Sequence, residues 1–134
     1  VPKILVVEDS FSMRSFVRSA LESGGELGEV DVVEASGGFD ALRLLPRGPY
    51  DLVITDINMP DINGLELIQF IRTNEHHRTT PILLISTQSS ERDRARALSL
   101  GADGYVAKPF TPEDLRSRVK AQLEKGRTSA RGNG

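Results

Sequence analysis

Three stretches of unbroken apolar residues, Ile4–Val7, Leu52–Ile54 and Ile82–Ile85, constrain this chain more than any other feature. A strand with one wet face alternates apolar and polar residues, and these runs do not alternate. They suit strands of a parallel sheet covered on both faces. Two weaker runs, Val30–Val33 and Tyr105–Ala107, bring the expected strands to five.

Helical patterns fill the gaps. Met13, Phe16, Val17, Ala20 and Leu21 follow the i, i+3, i+4, i+7, i+8 stripe, and Gly24-Gly25 ends it. A second helix is expected over Gly38–Leu45, stopping at Pro46, and a third over Gly64–Asn74 with Leu65, Ile68 and Ile71 on one side. A fourth, over Ser90–Leu100, is expected to bury little beyond Ala95, Leu98 and Ala102, with Gly101 as its C-cap. The fifth opens with Thr111 as N-cap, Pro112 in the first turn and Asp114 three residues on, and continues through Leu115, Val119 and Leu123. Strands alternating with helices predict a doubly wound α/β fold with all strand carboxyl ends on one edge. Residues 1–125 read as one domain, and 126–134, "GRTSARGNG", as a disordered tail or linker.

Composition narrows the function by exclusion. No apolar stretch approaches the roughly 20 residues of a membrane span, and the short run after Lys3 is no signal peptide. The absence of cysteine removes disulfides, thiolate metal sites and thiol nucleophiles. A net charge of −2 offers no field to draw the protein to nucleic acid. A cytoplasmic location is the expectation.

The chemistry is expected at the strand ends, where open α/β sheets place their functional crevice. The first strand ends in Glu8-Asp9, the third in Asp56, the fourth in Ser86 and the fifth in Lys108. Crowded carboxylates repel, and one lysine offsets only part of their charge. The remainder suits Mg²⁺, held by Asp9, Asp56 and the backbone carbonyl of Asn58, with Glu8 reaching through a water. Such a set fits phosphoryl transfer, with Asp56 as nucleophile and Lys108 and Ser86 holding the phosphoryl oxygens.

"ILVVEDS", "DLVITDINMPDINGLEL", "PILLIST" and "GADGYVAKPFTPEDL" together resemble the two-component response-regulator receiver family, of the stand-alone, CheY-like chemotaxis type. The resemblance covers roughly Lys3 to Leu123. It implies a flavodoxin-like (βα)5 sheet of strand order 2-1-3-4-5, for which CheY is itself the standard example, so the order comes with the resemblance alone. It implies that Asp56 accepts a phosphoryl group from a histidine kinase, that Glu8, Asp9, Asp56 and Asn58 hold Mg²⁺, and that the Lys108–Pro109 bond is cis. Ser86 matches the switch hydroxyl, Thr87 the position after it, and Tyr105 the aromatic that follows the switch. Output would pass through the face of helix 4, strand 5 and helix 5 to a downstream protein, in chemotaxis or motility control. Such a switch is no enzyme beyond its own phosphotransfer and dephosphorylation, binds no nucleic acid directly, does not enter membranes, and is a monomer or a weak phosphorylation-dependent dimer.

Three positions depart from the family pattern. Glu8 stands where Asp is common, Thr87 where a very small residue is usual, and Asn63-Gly64 where Asp-Gly is frequent. Gln88 occupies a position that tunes autodephosphorylation together with Asn58. A degenerate receiver that signals by binding alone is the alternative these raise. A haloacid-dehalogenase-type phosphatase would need a second Asp where Asn58 stands, and a flavin binder would not tolerate Glu8-Asp9 in its phosphate loop. His76-His77 lack a partner at ligand spacing and read as a solvated loop. Lys120, Lys125, Arg127 and Arg131 lack interleaved aromatics and read as a solvated face and tail.

Overall fold

Five strands and five helices alternate along the chain: β1 (Lys3–Val7), α1 (Phe11–Glu22), β2 (Asp31–Ala35), α2 (Gly38–Leu44), β3 (Leu52–Asp56), α3 (Gly64–Thr73), β4 (Ile82–Thr87), α4 (Glu91–Leu100), β5 (Gly104–Lys108) and α5 (Pro112–Gly132). This computed structural model describes residues 1–87 and 91–132, with side chains through residue 125. The strands form one parallel sheet in the order β2-β1-β3-β4-β5. The doubly wound, flavodoxin-like expectation holds.

Each unbroken apolar run feeds two cores. Ile4 and Val6 face one way and Leu5 and Val7 the other; Leu83 and Ile85 oppose Ile82 and Leu84 in the same manner. One core is closed by α1 and α5 through Val17, Leu21, Leu115 and Val119. The other is closed by α2, α3 and α4 through Ala41, Leu67, Ile71 and Ala97. Burial on both faces is why the runs do not alternate.

Local signals mostly place the helix ends. Ser10 caps α1 by accepting from the Met13 N–H at 3.3 Å, and Asn63 caps α3 by accepting from the Glu66 N–H at 3.0 Å. Thr111 and Asp114 form a reciprocal box at the start of α5, each side chain accepting from the other's backbone N–H. Pro46 falls inside a 3₁₀ turn, Leu45–Arg47, that follows α2.

Four expectations need correction. β2 lies one to two residues later than the Val30–Val33 run, because its register is dictated by pairing with β1, from Lys3↔Asp31 to Val7↔Ala35. The core face of α4 is Ala97, with Leu100 and Ala102 beside it, while Ala95 is exposed and Leu98 is 41% exposed. Ala95/Leu98 and Ala97/Leu100 are both i, i+3 pairs, so docking against the sheet, not periodicity, selects the phase. α5 continues to Gly132, whereas the sequence predicts a disordered tail from residue 126. Extending a formed helix costs far less than nucleating one, so Gly126 does not stop it. His77 is 5% exposed, not solvated: its ring lies 6.4 Å from that of Tyr50, whose hydroxyl donates to the Leu44 carbonyl at 2.6 Å.

No helix among the described residues is long and apolar enough to cross a membrane.

Candidate functional site

The register of the sheet brings the strand ends together. Val7 of β1 stands beside Thr55 of β3, so Glu8 and Asp56, one residue further on each strand, are neighbours at the carboxyl edge. Asp56 pairs with Ile85, which places Ser86 next along β4, and Thr87 pairs with Lys108 on β5. Four strands with no local sequence relationship thus deliver their terminal side chains to one crevice.

Glu8 is 1% exposed and Asp56 6%, whereas Asp9 is exposed. One oxygen from each of the three carboxylates lies within 4.8 Å of the others. Lys108 reaches over β4 to place its Nζ 3.1 Å from Asp56 Oδ2 and 3.7 Å from Glu8 Oε2. The Asn58 N–H donates to Asp56 Oδ1 at 3.3 Å as the chain turns out of β3. Glu8 Oε1 accepts from the Ser10 N–H at 3.1 Å, but Glu8 Oε2 is buried without a hydrogen bond among the described residues. Burial pushes Glu8 up to about 7; the Asp56 charge adds to this, while the Ser10 N–H and Lys108 oppose it.

Three carboxylates, one ammonium and an unsatisfied buried carboxylate oxygen leave negative charge without a counterpart. Oxygen donors of this kind fit a hard divalent cation. Ser86 is buried at the mouth of the cluster, and its Oγ has no hydrogen-bond partner among the described residues. Thr87 is exposed beside it. Tyr105 lies further back on β5, half-buried, with the Arg94 guanidinium 4.7 Å from its ring centroid. The Lys108–Pro109 bond is cis. Gln88 lies outside the described residues.

The profile of the response regulator receiver domain matches residues 4–120 of this sequence. The chain belongs to the response regulator receiver family. It is similar to the chemotaxis protein CheY homolog of Campylobacter jejuni, with 37% identity over 125 residues, covering 92% of this chain and 94% of that one. Among solved structures, the chemotaxis response regulator CheY4 of Vibrio cholerae superposes with a TM-score of 0.82 at 32% identity, covering 91% of this chain and 98% of that one. The receiver domain of the Francisella response regulator 1452 superposes with a TM-score of 0.80 at 29% identity, covering 93% and 98%.

Asp61, Arg72 and Arg116 of this receiver are not singled out by sequence reasoning, and Gly64 enters it only as half of the Asn63-Gly64 pair and as a helix start. Gly64 packs so closely that a side chain there would collide with the Asp56 carbonyl, and its N–H donates to the Ile57 carbonyl at 2.7 Å. Asp61 joins the β3–α3 loop to α2. Arg72 is bound to Asp103 at 2.9 Å and to four backbone carbonyls at the far edge of the sheet. Arg116, buried on α5, donates to the Ala20 carbonyl and the Ser23 hydroxyl near the end of α1. Each of these contacts joins separate elements, which no local pattern announces.

Proposed function

We propose that this receiver accepts a phosphoryl group on Asp56 from the phosphohistidine of a histidine kinase and changes its partner binding as a result. The observation that carries the reading is the pairing of Asp56 with Lys108 at 3.1 Å inside the acidic cluster. An Asp56 oxygen attacks phosphorus, the P–N bond breaks, and the imidazole nitrogen leaves with the bonding pair. Lys108 stands where its ammonium can follow a phosphoryl oxygen, and the Ser86 hydroxyl is free to donate to another. Asn58 steadies the acceptor through its N–H.

Asp9, Asp56 and the Asn58 carbonyl would hold Mg²⁺, with Glu8 acting through water. The ion would supply positive charge to the transferring oxygens. The receiver turns nothing over beyond this transfer and the hydrolysis of the acyl phosphate, in which water takes the phosphoryl group and Asp56 is freed as carboxylate.

The switch would draw Ser86 toward the phosphoryl group and let Tyr105 turn into the space released, altering the face of α4, β5 and α5 that meets a downstream protein. Likeness to chemotaxis proteins supports a role in chemotaxis or motility, in the cytoplasm, as a monomer or a weak phosphorylation-dependent dimer.

Intact-mass measurement after incubation with acetyl phosphate, with and without Mg²⁺, tests this. The expected result is a Mg²⁺-dependent gain of one phosphoryl group that Asp56→Asn abolishes. No gain under any condition would leave a receiver that works by binding alone.

A further inference from the structure

The loop from β3 to α3 leaves the acceptor aspartate, turns at Asn58 and runs exposed through Pro60 and Asp61. Its inner end is held by the buried Ile57 and Met59. Its outer end is held by Gly64, whose N–H bonds back to Ile57, and by the Asn63 cap. The middle has a different fastening. Asp61 Oδ1 accepts from the Gly38 N–H at 3.1 Å, and Asp61 Oδ2 accepts from the Phe39 N–H at 3.0 Å.

Those two N–H groups open α2, and the residue at the N-cap position is Gly37, which has no side chain to satisfy them. A carboxylate 23 residues away along the chain does so instead. The approach requires glycine on both sides. A Cβ at Gly37 would lie 3.0 Å from Asp61 Oδ2, and one at Gly38 would lie 2.5 Å from Ile62 Cβ and 2.7 Å from the Ile62 carbonyl oxygen. α2 is separately anchored in the core by Ala41 and Leu44. Asp61 therefore ties the exposed stretch of the loop to an element with its own core contacts.

We propose that Asp61 is a positioning residue for the acidic site: by fastening the loop to the start of α2, it holds the turn at Asn58 over Asp56. This rests on the phosphoacceptor reading only for its consequence, the cation affinity; the fastening itself is independent of that reading. Asp61 bonds to neither Asp56 nor Lys108, so its effect on the site passes through the backbone.

Amide hydrogen exchange of the metal-free protein, followed by Mg²⁺ titration of the same samples, separates the possibilities. In Asp61→Ala, exchange at Gly38, Phe39 and also Asn58 should quicken by about 5- to 10-fold, and Mg²⁺ affinity should fall by about 10-fold. Asp61→Asn keeps one oxygen acceptor but turns an amide NH2 toward the other N–H, so it should fall between wild type and Asp61→Ala in both measurements. Gly37→Ala keeps the carboxylate but sets a methyl 3.0 Å from Asp61 Oδ2, and should move both measurements in the direction of Asp61→Ala. Quickened exchange at Gly38 and Phe39 alone, with Asn58 and Mg²⁺ affinity unchanged, would overturn the proposal and reduce Asp61 to a helix cap. A fall in Mg²⁺ affinity in either variant with exchange at Asn58 unchanged would overturn it in favour of a charge effect. A wild-type protein that takes up no Mg²⁺ would count against the phosphoacceptor reading, while exchange at Asn58 would still decide whether Asp61 holds the loop.

Discussion

Arg94 and Tyr105 come from different elements, α4 and β5, and meet with the guanidinium 4.7 Å from the ring centroid. A ring that turns away from Arg94 gives up a contact worth about 0.5–1 kcal/mol at a partly exposed site. If Tyr105 turns inward during switching, Arg94 weighs against that turn. Arg94→Ala should therefore bind beryllofluoride, a phosphoryl mimic, about 2- to 5-fold more tightly in the presence of Mg²⁺. Titration followed by the Tyr105 ring resonances checks this, and an unchanged affinity would show that the stack does not bear on the switch. Glu8, Asp9, Asp56, Ser86 and Lys108 were legible because each follows or closes an apolar run, and parallel topology sends all such ends to one edge. Arg94 and Asp61 were not, because what makes them matter is a neighbour from another element.

At the scale of elements, α4 is the informative case. Its ten residues include three arginines and few apolar groups, and only Ala97 is fully buried. Leu98, the largest apolar residue on the face expected to be buried, is left 41% exposed. Two substitutions should separate the observed phase from the expected one. Leu98→Lys should change stability by less than about 0.5 kcal/mol, whereas Ala97→Leu should cost about 1–3 kcal/mol by overpacking against α3 and the sheet. Urea unfolding of both variants measures the difference, and a costly Leu98→Lys would favour the other phase. α1, α3 and α5 keep most of their expected faces, although Phe16 is 38% exposed and Leu67, not Leu65, is the fully buried leucine of α3. Their stripes are long enough to define a face, and Ser10, Asn63 and Thr111 mark their starts.

Across the whole molecule, the two edges of the sheet impose opposite pH dependences on folding. At the carboxyl edge, burial raises Glu8 from 4.5 to about 7, so its favourable contribution is complete below about pH 4.5 and is lost as pH rises through 7. At the amino edge, burial lowers His77 below its ordinary 6.5, so its contribution is present above pH 6.5 and is lost as pH falls through the depressed value. Between about pH 5 and 6.5 the two trends oppose each other and flatten the profile. Glu8→Gln should remove the first trend. In EDTA at pH 8 it should be more stable than wild type by about 1–3 kcal/mol, with the gap closing by pH 5. Urea midpoints across pH 5–8 test this, and a gap that is the same at both ends would mean that Glu8 titrates as an ordinary carboxylate. Mg²⁺ should narrow the pH 8 gap by offsetting the ionised Glu8.

What the sequence determined by itself is the kind of fold and the residues at its functional edge. Unbroken apolar runs demand cover on both faces, and the alternation of strand and helix leaves few ways to provide it. Tertiary structure decided the rest: the register of β2 against β1, the phase of α4, the burial of His77 beside Tyr50, and the carboxylate of Asp61 on the first N–H groups of α2. The physical reason is the same in each case. Periodicity and capping are properties of neighbours along the chain, whereas a register, a helix phase or a cross-element hydrogen bond depends on which surface arrives opposite, and that is settled only when the elements pack.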